Sequence, residues 1–448
     1  MAIQALLVIL AVLLVLLFLG VPISYAIAVS SLTAILSSID LNVAVLTAAQ
    51  RTFVGMSKFS LTAIPFFILA GNIMNQGGIA KRLVDFVMSI LGKLPGALLV
   101  TNIGTNALFG AISGSASAAA AAVGSMIRDG AEEQGYDPAV TAATNAASSC
   151  SGLLIPPSNA LITYSLASGG TSVAALFMAG YIPGIIWALC CCVVGVLLAV
   201  KLGYKGTPGR FDWKNLGICT LRALPSLSLI IVVIGGIVGG VFSATEGSAI
   251  AVVYSLILAF CYRSINLKSL WKIIVDSAKM SGMVVFLVGV SNILGWVMAF
   301  LQIPDAVAAL LLGLTNNKYI ILLIMNVILL VSGTFMDVTP AILIFTPLFL
   351  PICQSFGMHP IHFGLILVYN LCIGNITPPV GNALFVGIKV GRTTLAKVMP
   401  YMLMYYAAII LGLLLVTYIP AVSMVLPQVT GLVCVPFSSD ISNLFSEW

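Results

Sequence analysis

The chain has 448 residues, 60% hydrophobic and only 7% charged, with a net charge of +6 and a mean hydropathy of +1.16. Soluble domains carry roughly 25% charged residues, so this composition excludes a soluble enzyme or binding module; runs of about 17–20 apolar residues specify a polytopic helical membrane protein. The alternating pattern of an outer-membrane barrel is absent, and the basic residues are scattered over short loops, which excludes a nucleic-acid patch.

Met1 to Leu19 is apolar enough for a signal peptide. Its start holds no Lys or Arg, and no small-residue cleavage site precedes Pro22, so it reads as a retained span. Apolar length and helix breakers predict first-half spans at 3–19, 22–39, 60–76 and 174–200, with a Gly/Ser-interrupted stretch at 98–127 and a Pro-Pro-interrupted one at 139–168. The second half repeats that order: spans at 224–242, 247–262, 282–300 and 400–420, and interrupted stretches at 319–352 and 361–388. Segments 42–58 and 263–280 look amphipathic, and 82–94 and 304–315 are short apolar connectors; all four suit the membrane interface. The expected organisation is a first repeat at 1–200, a linker at 201–222 carrying Lys201, Lys205, Gly206, Pro208, Gly209 and Arg210, a second repeat at 223–425, and a polar tail at 426–448.

The interruptions form a repeated motif. Ile112-Ser113-Gly114-Ser115-Ala116-Ser117 and Ile155-Pro156-Pro157-Ser158-Asn159-Ala160 are answered by Val331-Ser332-Gly333-Thr334-Phe335-Met336-Asp337 and Thr377-Pro378-Pro379-Val380-Gly381-Asn382-Ala383. Ser113 recurs 219 residues on as Ser332, and Pro156 recurs 222 residues on as Pro378. Paired helix breaks in two halves of a membrane protein point to a transporter whose site lies between the repeats, near the bilayer midplane.

If the Ser-Gly stretches are re-entrant hairpins, each half crosses the membrane five times and the second half is inverted. Lys and Arg test this. With the N-terminus outside, only Arg51, Lys58 and Lys318 fall outside, and the other sixteen of the nineteen basic residues fall in the cytoplasm. Treating both stretches as full spans puts basic loops on both sides, against the positive-inside rule. Both termini are therefore expected outside, in the periplasm of a bacterial inner membrane.

Broken backbone in hydrocarbon survives only where it lines a cavity or holds an ion. Pro156-Pro157 and Pro378-Pro379 each remove two N–H donors. The carbonyls exposed at half-helix C-termini suit a hard cation such as Na⁺, and the N–H groups at half-helix N-termini suit a carboxylate. This places one cation at Ser113, Gly114, Gly152 and Ile155, and its mirror at Ser332, Gly333, Gly374, Thr377 and Val380, mostly through main-chain carbonyls. The bland alternative is that Gly, Ser and Pro merely kink helices or let them pack closely.

Asp337 is the one carboxylate at a hairpin tip deep in the membrane. A central Asp costs roughly 2.5–3.5 kcal/mol on insertion scales and is a functional candidate by default; capping of the helix that follows is its structural alternative. Ser115, Ser117, Ser158, Asn159 and Asn382 are candidate substrate contacts, the two asparagines also caps after a Pro-Pro pair. Glu246 reads as a cap, and Asn72 and Asn292 as interhelical hydrogen bonds. The nine cysteines show no metal-ligand spacing and read as small hydrophobes. The two histidines, His359 and His362, sit in a predicted outer loop, and neither a P-loop nor a catalytic constellation is present, so neither an enzyme nor self-contained ATP drive is indicated.

Ile64-Pro65-Phe66-Phe67-Ile68-Leu69-Ala70-Gly71, Ser332-Gly333-Thr334-Phe335-Met336-Asp337 and Gly374-Asn375-Ile376-Thr377-Pro378-Pro379-Val380-Gly381 together resemble the large membrane subunit of TRAP (tripartite ATP-independent periplasmic) transporters, of the ion-transporter superfamily, over residues 1–425. The resemblance implies a sodium-driven importer of organic anions such as C4-dicarboxylates or sialic acids. A periplasmic binding protein would deliver the substrate, a small four-helix membrane subunit would flank this one, and hairpins and broken helices would move as an elevator. It also implies two or more sodium sites at the positions above, and a substrate-contacting role for Asp337. Ile155 stands where the second half has Thr377, so the first cation site lacks that hydroxyl. A stand-alone sodium/dicarboxylate symporter of the same superfold is the close alternative; an ion channel would need charged rings or repeated filters, which the sequence lacks.

Overall fold

The computed structural model describes residues 2–206, 212–315 and 317–433, and among them the regular elements are all helical. Pro208, Gly209 and Arg210 of the linker, and residues 434–448 of the tail, lie outside the described residues. Among the described residues six helices are long and apolar enough to cross a membrane, and one bent pair is so when taken as a single span.

In the first half the chain forms α1 (Ala2–Phe18), α2 (Ile23–Ile35), α3 (Leu41–Met56), a 3₁₀ turn (Phe59–Thr62), α4 (Ala63–Gln76) and α5 (Ile79–Leu91). The interrupted stretches follow as α6 (Ala97–Ser113) with α7 (Ala116–Glu133), and α8 (Pro138–Ser149) with α9 (Ser151–Leu154) and α10 (Asn159–Ala167). α11 (Val173–Leu202) closes the half. The second half runs α12 (Trp213–Val238), α13 (Ala244–Cys261), α14 (Leu267–Phe300) and α15 (Ile303–Leu314). It continues with α16 (Lys318–Gly333), α17 (Val338–Ser355), α18 (Pro360–Asn375), α19 (Asn382–Val390) and α20 (Leu395–Tyr418), and ends in the short α21 (Ala421–Val429), where a tail was expected from 426.

The sequence separates an interfacial segment 263–280 from a span 282–300, but the structure makes them one 34-residue helix, α14. Nothing between Lys279 and Gly282 breaks the backbone, and a change from polar to apolar face does not end a helix. In the first half Ser57 and Lys58 leave the helix, so α3 and the segment carrying α4 meet at a 59° bend.

The helices sort into two packed groups. α1–α4 and α12–α15 form one, with α14 crossing α2, α3 and α4. The interrupted helices and α11, α18 and α20 form the other. In this second group the halves exchange arms: α10 packs on α17, and its counterpart α19 packs on α7. Each broken helix is thereby anchored in the opposite half.

Trp187, Tyr369 and Tyr405 are large side chains fully buried in this group. The Trp187 indole donates to the Ala147 carbonyl at 2.9 Å, and Tyr405 bonds Thr144 at 2.7 Å. These bonds satisfy polar groups that hydrocarbon would leave unpaired, and so fix the helices that carry the breaks.

Candidate functional site

α6 ends because Gly114 takes φ +60°, a left-handed conformation that only glycine adopts without strain. Ser115 then caps α7, its Oγ accepting from the Ala118 N–H at 3.4 Å. A Cβ on Gly114 would stand 3.2 Å from both the Asn159 amide nitrogen and the Pro157 carbonyl, so this tip presses against the neighbouring break.

That break follows Leu154, where Pro156 and Pro157 supply no N–H and are joined by a cis peptide bond. The Ser158 hydroxyl donates to the Leu153 carbonyl, and its oxygen accepts from the Leu161 N–H at 3.3 Å. Ser158 is fully buried, acts as a cap, and is not among the residues that line the cavity described below.

In the second half, residues 334–337 link α16 to α17, and 376–381 link α18 to α19, with a cis bond at Pro378-Pro379. The two links are tied directly: the Val380 N–H donates to the Thr334 carbonyl at 3.1 Å. Here the N-caps are Asp337 and Gly381, and neither makes a side-chain capping bond. The Asp337 carboxylate is instead approached by the Val338 N–H and the Asn382 side chain. The first half caps its half-helix N-termini with serine hydroxyls; the second has a carboxylate at α17 and a glycine at α19 in their place.

Part of the predicted cation sets lies at two glycine crossings: Gly333 and Gly374 in the second half and Gly152 in the first, whereas Ser113 and Gly114 lie at the tip. Gly333 and Gly374 lie backbone to backbone, with a Cβ on Gly374 standing 2.4 Å from the Gly333 carbonyl carbon. In the first half the equivalent crossing is between Gly110 and Gly152, where a Cβ on Gly152 would stand 2.2 Å from the Gly110 Cα. Gly110 to Gly333 spans 223 residues and Gly152 to Gly374 spans 222, so the structural register pairs Gly110, not the Ser113-Gly114 tip, with Gly333. The offset of 219 from Ser113 to Ser332 belongs to a local likeness of words. The register gives Asp337 a first-half partner in Ser115: both are N-caps of the returning arm.

The remaining candidates divide. The Thr377 hydroxyl donates to the Ile373 carbonyl at 2.6 Å, so its oxygen can serve a ligand only as an acceptor, beside the Tyr406 phenol. The Ser332 and Gly374 carbonyls receive the Phe335 and Thr377 N–H groups at 3.1 and 2.9 Å, and the Thr334 and Ile376 N–H groups approach them as well. Ile155 turns its side chain onto Gly184 of α11.

One cavity of about 170 Å³ gathers the tip residues Ser113, Gly114, Ser115 and Ser117 with Asn159 and Asp337. Asp337 is solvent-accessible there, and the wall opposite is built from α4 and α14 of the other helix group, through Ile68, Gly71, Asn72, Met280 and Val284. Asn382, Gly152, Ile155 and the Gly333-Gly374-Thr377-Val380 cluster are not among its lining residues.

Asn375 was missed by the reading of the sequence as a site group, whereas Asn159 was among its candidates. Asn375 follows Gly374, and its buried Oδ1 has no hydrogen-bond partner; the Asn159 Oδ1 is in the same condition. Both line the cavity. Unpaired buried amide oxygens need a partner, and such oxygens can accept from a ligand donor or face a hard cation. Groups of His, Cys, Asp and Glu that suit a transition metal are absent among the described residues. Gly71, the last residue of the quoted 64–71 segment, lets α4 touch the tip: a Cβ there would meet the Ser113 carbonyl oxygen at 2.9 Å.

Elsewhere, Ser243 and Glu246 form a reciprocal capping box, and the Asn72 amide bridges to the Ser277 hydroxyl on α14 at 2.8 Å. Asn292 was expected to do the same, but its amide donates to the Val288 carbonyl of its own helix at 2.8 Å.

Residues 10–422 match the family described as tripartite ATP-independent periplasmic transporter, DctM component. The chain is 49% identical over 408 residues to the uncharacterised protein YgiK of Salmonella typhimurium, covering 91% of this chain and 94% of that one. It is 37% identical to the C4-dicarboxylate TRAP transporter large permease protein DctM of Pseudomonas aeruginosa, over 90% of this chain and 93% of the relative. It is also 37% identical to the isethionate TRAP transporter permease protein DctMQ of Oleidesulfovibrio alaskensis, over 90% of this chain and 64% of that longer protein. Among solved structures, the YdaH transporter of Alcanivorax borkumensis shares the fold, with a TM-score of 0.63 at 15% identity over 86% of this chain and 89% of that chain.

Proposed function

This chain belongs to the DctM family, the large permeases of tripartite ATP-independent periplasmic transporters, and we propose that it imports an organic acid driven by sodium. The observation that carries the proposal is the cavity between the two helix groups, where one carboxylate, Asp337, faces serine hydroxyls and unpaired asparagine oxygens at the tips of broken helices.

Sodium, as co-transported cargo, would sit on the carbonyls at the two glycine crossings, helped by Thr377 and Asn375 in the second half. Each ion would fix a tip against its broken helix and so orient the first turns of α17 and α19. Their N–H groups would then receive the substrate's acid group, while Asp337 accepts a hydrogen bond from a substrate hydroxyl or ammonium. The group built from the interrupted helices would move against α4 and α14 as an elevator, carrying the filled site across the bilayer. The first and second halves would have opposite orientation in the membrane, with both termini in the periplasm.

Relatives of equal identity are named for isethionate and for C4-dicarboxylates. Both carry an anionic group on a short chain, so a small carboxylate or sulfonate is the substrate class. A small membrane subunit and a periplasmic binding protein would complete the system; the fused name DctMQ fits a permease made of both membrane parts. Uptake by cells expressing the large and small subunits, with and without the binding protein, tests the reading. Dependence on both the binding protein and sodium is expected. Uptake that survives without the binding protein would favour a stand-alone symporter.

A further inference from the structure

A second cavity, of about 420 Å³, lies further along the same helices that wall the first. Both cavities lie against α14, α10 and α17. The first takes Val284, Thr163 and Thr339; the second takes Val288, Leu166 and Leu343. Its other wall is α3, which brings Arg51, and the link that follows α3, which brings Lys58. These are two of the three basic residues that the positive-inside assignment leaves on the outer side. Both are exposed, and neither has a salt bridge among the described residues.

Beside them stands an amide donor, while the Ser291 hydroxyl already donates to the Leu287 carbonyl at 2.7 Å. The Asn292 amide spends one N–H on Val288 and keeps a second. It is held against α3 at Gly55, where a Cβ would lie 2.5 Å from the amide nitrogen. Ser291 and Trp296 complete that wall. A cleft with two unpaired cations, an amide donor and apolar walls focuses positive potential and concentrates anions. Arg51 offers a planar fork that matches a carboxylate or sulfonate, and Lys58 a point charge.

We propose that this outer cavity is an anion-holding site, distinct from the Asp337 cavity, that binds the acid group of a small carboxylate or sulfonate at the outer mouth of the same cleft. Its role as a waiting station for the substrate rests on the transport reading above; the anion binding does not.

The test uses the full chain in phosphatidylcholine nanodiscs, without sodium or partner proteins. Iodide quenching of Trp296 is read as the difference between the wild type and Trp296→Phe. Succinate is expected to protect Trp296 from iodide, and chloride at equal ionic strength is not. Arg51→Gln with Lys58→Gln should weaken succinate protection by about tenfold or more, the scale of losing a charge-assisted hydrogen bond, while Arg51→Lys with Lys58→Arg should retain most of it. Asp337→Ala should leave it unchanged. Absence of protection in the wild type, or equal protection in the double Gln variant, would overturn the proposal. Protection by phosphatidylglycerol but not by succinate would give the site to a lipid headgroup and also overturn it. Protection with no sodium-driven uptake would sink the transport reading alone.

Discussion

Gly374 crosses Gly333 so closely that the two positions are not equivalent. A Cβ on Gly374 would stand 2.4 Å from the Gly333 carbonyl carbon, and one on Gly333 would stand 3.2 Å from the Gly374 Cα. Gly374→Ala must therefore push the tip away from the broken helix, while Gly333→Ala needs only a few tenths of an ångström. Overpacking of this kind costs about 1–3 kcal/mol. Gly374→Ala is expected to raise the sodium concentration for half-maximal uptake by about tenfold or more, with a smaller effect from Gly333→Ala. Sodium titration of uptake checks the order; equal effects would detach the sodium requirement from this crossing.

The same comparison in the first half distinguishes the two registers. Gly110→Ala and Gly152→Ala both place a Cβ within 2.4 Å of the partner backbone, so both should disturb sodium dependence as strongly as Gly374→Ala. If Gly110→Ala is silent, the structural pairing of Gly110 with Gly333 has no part in sodium binding.

The Asp337 carboxylate is accessible in the cavity and is approached by the Val338 N–H and the Asn382 side chain, so replacement by Asn, which keeps an acceptor for that N–H, should leave folding intact and act on substrate. Asp337→Asn removes a charged acceptor worth about 1.5–3 kcal/mol and should lower uptake roughly 10- to 100-fold at unchanged expression. Ser158→Ala should do the opposite. It loses a buried cap worth about 0.5–2 kcal/mol, so thermal stability should fall while substrate preference stays the same.

His359 gives a pH signature outside the membrane-spanning segments. Its Nδ1 accepts the Ile361 N–H at 3.2 Å, which requires the neutral ring, and burial lowers its pKa from the usual 6.5. A lowered folded pKa means that the contribution is present above pH 6.5 and is lost as the pH falls through the folded value. The melting temperature of the wild type should therefore drop more between pH 7 and pH 5 than that of His359→Asn, whose cap does not titrate. Parallel curves would contradict it.

The breaks were legible in the sequence because their chemistry is local. Two consecutive prolines remove two donors, and Gly114 followed by Ser115 supplies a left-handed residue and a cap. The glycine crossing at Gly110 was not legible. A lone Gly inside an apolar helix says nothing about what approaches it, and the more conspicuous Ser-Gly words drew the register to an offset of 219 instead of 222. The unbroken α14 was missed for the converse reason: the composition changes at 281 while the backbone is under no constraint. Asn375 could have been found, because an amide beside Gly374 at the end of an apolar half-helix has to be satisfied by something.

The sidedness of the linker follows from charge alone and is open to labelling. Lys205→Cys, exposed at the end of α11, should react with an impermeant maleimide only in inside-out vesicles, and Lys58→Cys only in right-side-out ones.

The central claim is that the glycine crossings bind sodium that travels with the acid. Radiolabelled sodium uptake into proteoliposomes carrying both membrane subunits, driven by a substrate-loaded binding protein, measures this directly. Sodium should accumulate only when the loaded binding protein is present, and should fail to accumulate with Gly374→Ala. Substrate uptake of equal rate in sodium-free potassium buffer, with no sodium entering, would contradict it.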